Sequence, residues 1–319
     1  MNRESAPQFV PPELCTLVDA PPAGDEWIYE VKYDGYRLEA IVTDRDVRLL
    51  TRRGNDWTDR FPGLARSISK LRLGSATLDG EVVVLDRSGR SRFTLLQQSL
   101  DAARDQDLTY FVFDLLRAGG ADLRSLPLRD RRTKLEQLFR KSKVAATGAV
   151  RLGQRLDGEG KVLLRAACKL GLEGIIGKRN GAPYASRRTS DWVKVKCSNR
   201  QEFVVIGFTP PGGARVGLGS LLLGVHEKGE LRYAGRVGSG FNDAILRELR
   251  RRLRLLETPK MPLATRPAGV PGTAQWVKPR LVAEVSFTEW TNDGRLRHPV
   301  FQGIREDKPA TNVRRERAQ

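Results

Sequence analysis

The chain has 319 residues, enough for two domains at roughly 100–200 residues each. Lys and Arg number 56 against 38 Asp and Glu, a formal charge of +18, and 39% hydrophobic residues permit a packed core beneath an ionic surface. That balance favours a polyanionic partner, nucleic acid ahead of an anionic membrane, and apolar stretches such as 203–208 are too short to span a bilayer.

The N-terminus carries Glu4, Pro7, Pro11 and Pro12 where a signal peptide would need an apolar run. Cys15, Cys168 and Cys197 are odd in number and widely spaced, which argues against a disulfide framework or a Cys-rich zinc site. His226 and His298 are too few for a His-based metal centre. The expectation is a reduced, soluble, cytoplasmic protein.

Residues 7–24, rich in Pro and Ala, read as an extended lead-in. Short alternating runs follow at 27–32, 36–43 and 47–51, separated by Asp34-Gly35 and by 44–46, and predict a β-meander with tight turns. Phe61, Leu64, Ile68 and Leu71 give 59–71 a helical period. A strand is expected at 77–85, a helix at 93–103 and a buried strand at 109–116. A basic helix is expected at 128–139 and another at 158–170, with Asp157 as N-cap. Strands at 175–178 and 192–196 complete the first part.

The texture changes near 197–200. Runs at 203–208, 219–225 and 231–237 read as strands with Gly-rich turns. Residues 242–256 form one helix capped by Asn242 or Asp243, 259–273 is a Pro-rich loop, and 281–287 and 296–301 are further strands. About five strands and one helix in this length suit a small Greek-key barrel of the OB type. The expected fold is α+β, with a domain of antiparallel sheets and helices over 1–199 and a barrel over 200–319. The basic tail at 314–317 reads as disordered.

The chemistry concentrates in a few segments. In Glu30-Val31-Lys32-Tyr33-Asp34-Gly35-Tyr36-Arg37 a lysine ends a strand, an Asp-Gly turn follows and an arginine returns. Such a group could hold a nucleotide phosphate and attack it; a solvated lysine beside an ordinary hairpin is the plainer alternative. Further segments are Thr51-Arg52-Arg53-Gly54-Asn55, Leu78-Asp79-Gly80-Glu81, Tyr110-Phe111-Val112-Phe113-Asp114 and Leu172-Glu173-Gly174-Ile175-Ile176-Gly177-Lys178. In Trp192-Val193-Lys194-Val195-Lys196 the alternation puts both lysines on one side of a strand.

In this order these segments resemble the nucleotidyltransferase motifs of ATP-dependent DNA ligases, over nearly the whole chain. The stretch Phe287-Thr288-Glu289-Trp290, Leu296-Arg297-His298-Pro299-Val300-Phe301 and Gly303-Ile304-Arg305-Glu306-Asp307-Lys308 is similar to the barrel of the ligase module of bacterial end-joining ligase D. The resemblance implies a nucleotidyltransferase (adenylation) domain followed by an OB-fold. It implies ATP as cosubstrate, a lysyl-AMP on Lys32, transfer of AMP to the 5′-phosphate of nicked DNA, and sealing by the 3′-hydroxyl.

By the same resemblance Glu30 reads the adenine edge beside Val31, Phe113 stacks on the base, and Arg37 and Arg52 contact ribose or phosphates. Glu81 bonds the ribose. Lys194 and Lys196 bind the α-phosphate. Arg305 and Lys308 orient pyrophosphate, for which the barrel must close over the nucleotide. Glu173, with Glu81 and Asp34, would hold Mg²⁺ or Mn²⁺, hard cations that suit carboxylates. Core packing remains an alternative for Phe113, as does an ion pair with Lys178 or Arg179 for Glu173.

Free lysine has a pKa of about 10.4, so about one in a thousand is the reactive amine near neutral pH. Lys194 and Lys196 would lower that value, whereas Asp34, Glu81 and Glu173 would raise it unless a divalent metal masks them. The arginines of residues 247–254 read as a solvated face, with contact to the DNA backbone as the minority alternative. An RNA ligase, a capping-type guanylyltransferase and a non-catalytic DNA-binding protein are the competing readings. The expected protein is a minimal two-domain ligase, stand-alone or part of a longer chain, a monomer at the nucleoid of a bacterium with the end-bridging protein Ku as the implied partner.

Overall fold

The computed structural model describes residues 8–43, 46–102, 104–142, 148–213 and 216–316. It divides into two compact units, one built from residues up to Cys197 and one over Ser198–Arg317. Glu4, Pro7, residues 44–45, Ala103 and Arg317, which figured in the sequence reading, lie outside the described residues.

Two sheets form the first unit. One runs in the order Leu14–Leu17, Arg188–Lys196, Gly174–Arg179, Trp27–Val31, Arg155–Leu156, with the first pair parallel and the rest antiparallel. The other runs Val47–Thr51, Tyr36–Val42, Ala76–Val84, Leu108–Ala118, Ala121–Asp122, with Val150–Leu152 parallel to Leu108–Ala118.

The strands before and after Asp34-Gly35 therefore belong to different sheets, and the expected meander across that turn is not formed. Glycine permits the crossing. A Cβ on Gly35 would lie 2.0 Å from the carbonyl oxygen of Val82. The meander pattern holds only from Tyr36–Val42 to Val47–Thr51, which do pair. Period-2 alternation shows that a segment is a strand without showing its partner.

Each sheet has one apolar face with its own cover. Tyr36, Leu38, Ala40, Leu78, Val82, Tyr110 and Val112 form a core with Leu64 and Ile68 of helix α1 (Pro62–Ser69), Phe93 and Leu96 of α2 (Phe93–Asp101), and Leu135 and Phe139 of α3 (Leu128–Lys141). On the other sheet Tyr29, Ile175 and Val195 pack on Ala167 of α4 (Gly160–Lys169). The N-cap of α4 is Glu159 rather than Asp157, with no side-chain bond to the helix.

Helix α4 also ends in a disulfide, Cys168–Cys197, against the expectation of reduced cysteines. The 29-residue separation looked too wide for pairing, but α4 packs on the strands Gly174–Arg179 and Trp27–Val31, and the first of these pairs with the strand that ends at Lys196. Cys15 is free and half-buried.

In the second unit the strands run Glu230–Val237, Leu221–Glu227, Asn199–Phe208, Val282–Phe287, Val300–Arg305. A bridge between Ser239 and Val300 closes them into a barrel. Helix α5 (Asp243–Arg254) buries Leu246, Leu249 and Leu253 against it, and Asn242 Oδ1 accepts from Ile245 N at 2.8 Å as expected of a cap. This is the OB arrangement.

The expected strand at 296–301 is instead two, Leu296–Arg297 and Val300–Arg305, parted at His298, whose φ is +49°. Residues 314–316, expected to be disordered, have a defined place: Arg314 bridges His226, and the Arg315 guanidinium lies 4.4 Å from the Trp290 ring.

Candidate active site

Three adjacent strands of the first sheet bring most of the candidate residues to one face. Directly opposed residues in an antiparallel pair share a face, and every second residue returns to it. Ile176 is opposite Glu30 on one side and Lys194 on the other, and Lys178 is opposite Ile28 and Trp192. Gly174 is opposite Lys196, and its carbonyl accepts from Lys32 N at 3.1 Å. One face therefore carries Glu30, Lys32, Lys178, Lys194 and Lys196, while Tyr29, Val31, Ile175 and Val195 point the other way. Val31 contributes backbone only, its N–H donating to Gln154 O.

Gly174 is needed where these strands end. Its φ is +152°, and a Cβ there would lie 2.0 Å from Val195 O. Glu173, just before it, reaches Lys32, with Nζ and Oε2 2.6 Å apart and the two side chains only 17% and 9% exposed. Neither Lys178 nor Arg179 pairs with Glu173, which corrects that alternative: Lys178 pairs with Glu30 and Arg179 with Glu26 and Asp191. Burial alone would lower the Lys32 pKa, but the Glu173 carboxylate outweighs it, with Glu81 and Asp34 adding, and holds the ammonium above the ordinary lysine range. The lowering expected from Lys194 and Lys196 does not prevail.

The facing sheet supplies Arg37, Glu81 and Phe113. Arg37 is opposite Glu81, but its guanidinium is engaged with Asp79, Nε to Oδ1 at 2.9 Å and Nη2 to Oδ2 at 2.6 Å, with Nη1 donating to Glu13 O. Tyr184 OH donates to the same Asp79 at 2.7 Å. Phe113 sits edge-on to Trp192 with ring centres 6.2 Å apart, in a cluster with Val10, Leu116 and Tyr184. Arg52 is half-buried in a turn closed by Gly54 N to Thr51 O at 2.8 Å.

Asp34 serves the scaffold through one oxygen. Its Oδ2 accepts from Phe93 N at 3.1 Å, which satisfies an otherwise unpaired amide at the start of α2. Tyr33 stacks on Phe111 with centroids 4.1 Å apart, and burial pushes its hydroxyl up to about 12. Together these pin the segment just after Lys32.

Among the described residues no group of three or more His, Cys, Asp or Glu side chains forms a metal cage. Glu173, Glu81 and Asp34, all within electrostatic reach of Lys32, are hard oxygen donors. They suit a Mg²⁺-like ion, which keeps several waters and takes only one or two carboxylates.

Arg305 and Lys308 lie in the second unit and are held there by acids. Arg305 bonds Asp307 through Nε and Nη2 at 2.9 and 2.8 Å and Glu284 through Nη1 at 3.2 Å; Lys308 bonds Glu202 at 3.0 Å. A cavity of about 740 Å³ in that unit, lined by Tyr233, Trp290 and Arg295 among others, includes none of the candidate residues.

Sequence reasoning missed the residues that hold the site: Arg132, which donates to Glu30 Oε1 at 2.6 Å, Lys178 as the partner of Glu30, and the Asp79–Tyr184 pair around Arg37. Lys178 had a signal, since alternation from Ile176 puts it on the Lys194 face. Arg132 and Tyr184 had none, because their contacts span 102 and 105 residues.

A family model for the ATP dependent DNA ligase domain matches residues 16–196, and one for the ATP dependent DNA ligase C terminal region matches 214–308. The multifunctional non-homologous end joining protein LigD of Pseudomonas aeruginosa is 47% identical over 315 residues, 98% of this chain and 37% of that protein. The LigD DNA repair protein of Mycobacterium tuberculosis is 38% identical over 294 residues, 91% of this chain and 38% of that protein. This chain thus spans less than two fifths of those relatives.

Among solved structures, mycobacterial DNA ligase D complexed with ATP and MES aligns with a TM-score of 0.74 at 36% identity, covering 96% of this chain and 98% of that one. The ligase domain of M. tuberculosis LigD aligns at 0.54, also at 36%. With the two sheets, the barrel and the lysine site in place, this chain belongs to the ATP-dependent DNA ligases.

Proposed function

We propose that the chain seals 3′-hydroxyl/5′-phosphate nicks in duplex DNA at the expense of ATP, in DNA break repair by end joining. The observation that carries this reading is the buried Lys32–Glu173 contact at the end of three strands whose shared face also bears Lys194 and Lys196.

Lys32 Nζ, once deprotonated, attacks the α-phosphorus of ATP. An N–P bond forms, the bond to the β-phosphate oxygen breaks, and pyrophosphate leaves. The 5′-phosphate of the nick then displaces Lys32 from AMP, and the 3′-hydroxyl displaces AMP from the DNA-adenylate. A bound Mg²⁺ or Mn²⁺ would supply positive charge to the phosphates and would compete with Lys32 for Glu173.

Within this scheme Lys194 and Lys196 bind the α-phosphate, Arg52 the phosphates or the DNA end, Glu81 the ribose and Phe113 the base. Glu30 keeps acceptor capacity for an adenine amino group beyond its two cations. Arg37 acts from its Asp79 pair, bracing the pocket. Arg305 and Lys308 orient pyrophosphate after leaving Glu284, Asp307 and Glu202. Ku is the proposed partner, and the working form is a monomer in the bacterial cytoplasm.

The test is step-resolved sealing of a labelled nicked duplex. Lys32→Ala abolishes sealing with ATP but still seals a nick that already carries AMP on its 5′-phosphate. ATP-driven sealing by the alanine variant contradicts the assignment.

A further inference from the structure

Lys178 touches none of the atoms that react in the proposed scheme, yet it is among the most deeply buried cations of the first unit. Its side chain is 2% exposed. Nζ lies 2.7 Å from Glu30 Oε2, 4.3 Å from the centre of the Phe113 ring and 4.0 Å from that of Trp192. Arg132, on α3, holds the other oxygen of Glu30 and also donates to Gly153 O.

An ammonium taken out of water loses hydration that one ion pair rarely restores. Here a carboxylate and two aromatic faces compensate it together. An apolar side chain would brace the fold at least as well. What the lysine adds is location. It ties Glu30 on the first sheet to Phe113 on the second, and these are two of the side chains assigned above to the base. It also balances the charge of Glu30, two residues from the nucleophile, where an anionic nucleotide has to approach.

We propose that Lys178 is a positioning residue for nucleotide capture, holding Glu30 and Phe113 in place before ATP arrives. The inference rests on the ligase reading. Its effect belongs to the first step, because afterwards AMP is tethered to Lys32 or to DNA and no longer depends on the pocket for its local concentration.

The experiment measures self-adenylylation against ATP concentration, and separately the sealing of a pre-adenylylated nick. Lys178→Met keeps the length and removes the charge. It raises KM for ATP by about tenfold or more while kcat changes by less than about threefold, and sealing of the pre-adenylylated nick stays near wild type. Lys178→Gln, which removes the charge but can still donate a hydrogen bond to Glu30, shows the same pattern and carries the test if the methionine variant does not fold.

An unchanged KM overturns the inference. So does an equal loss in both reactions with a lower melting temperature, since that marks a structural brace alone. Wild-type protein that takes no label from ATP overturns the ligase reading itself, which separates the two failures.

Discussion

Lys32 stands between burial, which favours the amine, and three carboxylates, which favour the ammonium; the carboxylates win in the free protein. A lysine titration followed by NMR therefore has its midpoint above the ordinary range, and added Mg²⁺ moves it down by masking Glu173. In Glu173→Gln the midpoint is already lower and no longer responds to the metal. A midpoint indifferent to Glu173→Gln would mean that another group controls Lys32.

Glu39 shows the same physics, with Arg124 and Arg37 near enough to oppose the effect of burial but not to reverse it. Burial pushes its carboxyl up to about 8, with Asp79 adding to the rise and the Val10 N–H opposing it. An unfolded glutamate titrates near about 4.3, so the folded chain holds a proton that the unfolded chain has released between those values. Stability therefore falls as pH rises from about 5 to about 8, by on the order of a few kcal/mol. Thermal melts across that range show the slope in wild type and lose it in Glu39→Gln; parallel slopes in the two proteins would contradict the assignment.

The candidate residues that the structure brings near Lys32 could be named from sequence because they fall in short segments around Lys32, Glu81, Glu173 and Lys194. The residues that neutralise and hold them could not, because a pair such as Glu30–Arg132 or Asp79–Tyr184 exists only after the two sheets face each other.

At the scale of elements, the crossing at Gly35 and the strand end at Gly174 decide the site. A methyl group at either would meet a carbonyl oxygen 2.0 Å away. Gly35→Ala destabilises the first unit by about 3 kcal/mol or more, read as a shift in the denaturant midpoint; a shift below about 1 kcal/mol would show that the crossing relaxes freely. Most strands and the five helices of the described residues were legible from period, within a few residues of their ends, and Asn242 also from its cap. Sheet membership was not, since Trp27–Val31 and Tyr36–Val42 carry similar alternation and join different sheets.

The Cys168–Cys197 bond staples α4 to the strand bearing Lys194 and Lys196. Closing a loop of that length is worth about 3–4 kcal/mol in the chain-entropy picture. A reductant lowers the melting temperature of wild type to that of Cys168→Ser and leaves the variant unmoved. A wild-type melting temperature insensitive to reductant would show the bond contributes nothing.

For the whole molecule, the charge of +18 is the simplest source of the DNA affinity proposed above. Helix α5 illustrates how it is carried: its apolar side is buried, while Arg251 and Arg252 pair with Glu248 on the outer face. Six to ten phosphate contacts would cost about 10³-fold or more in affinity between 50 and 200 mM salt. Nick binding followed by anisotropy should show that slope, and a flat response would assign the affinity to uncharged contacts.

The covalent intermediate tests the account most directly. Protein stripped of any bound AMP is incubated with α-labelled ATP and Mg²⁺ or Mn²⁺, denatured, and then chased with nicked DNA, with α-labelled GTP and Lys32→Ala in parallel. The account predicts label on the wild-type chain from ATP alone, none on the alanine variant, and transfer of the label to the DNA. Label from GTP, or label that persists without Lys32, would contradict it.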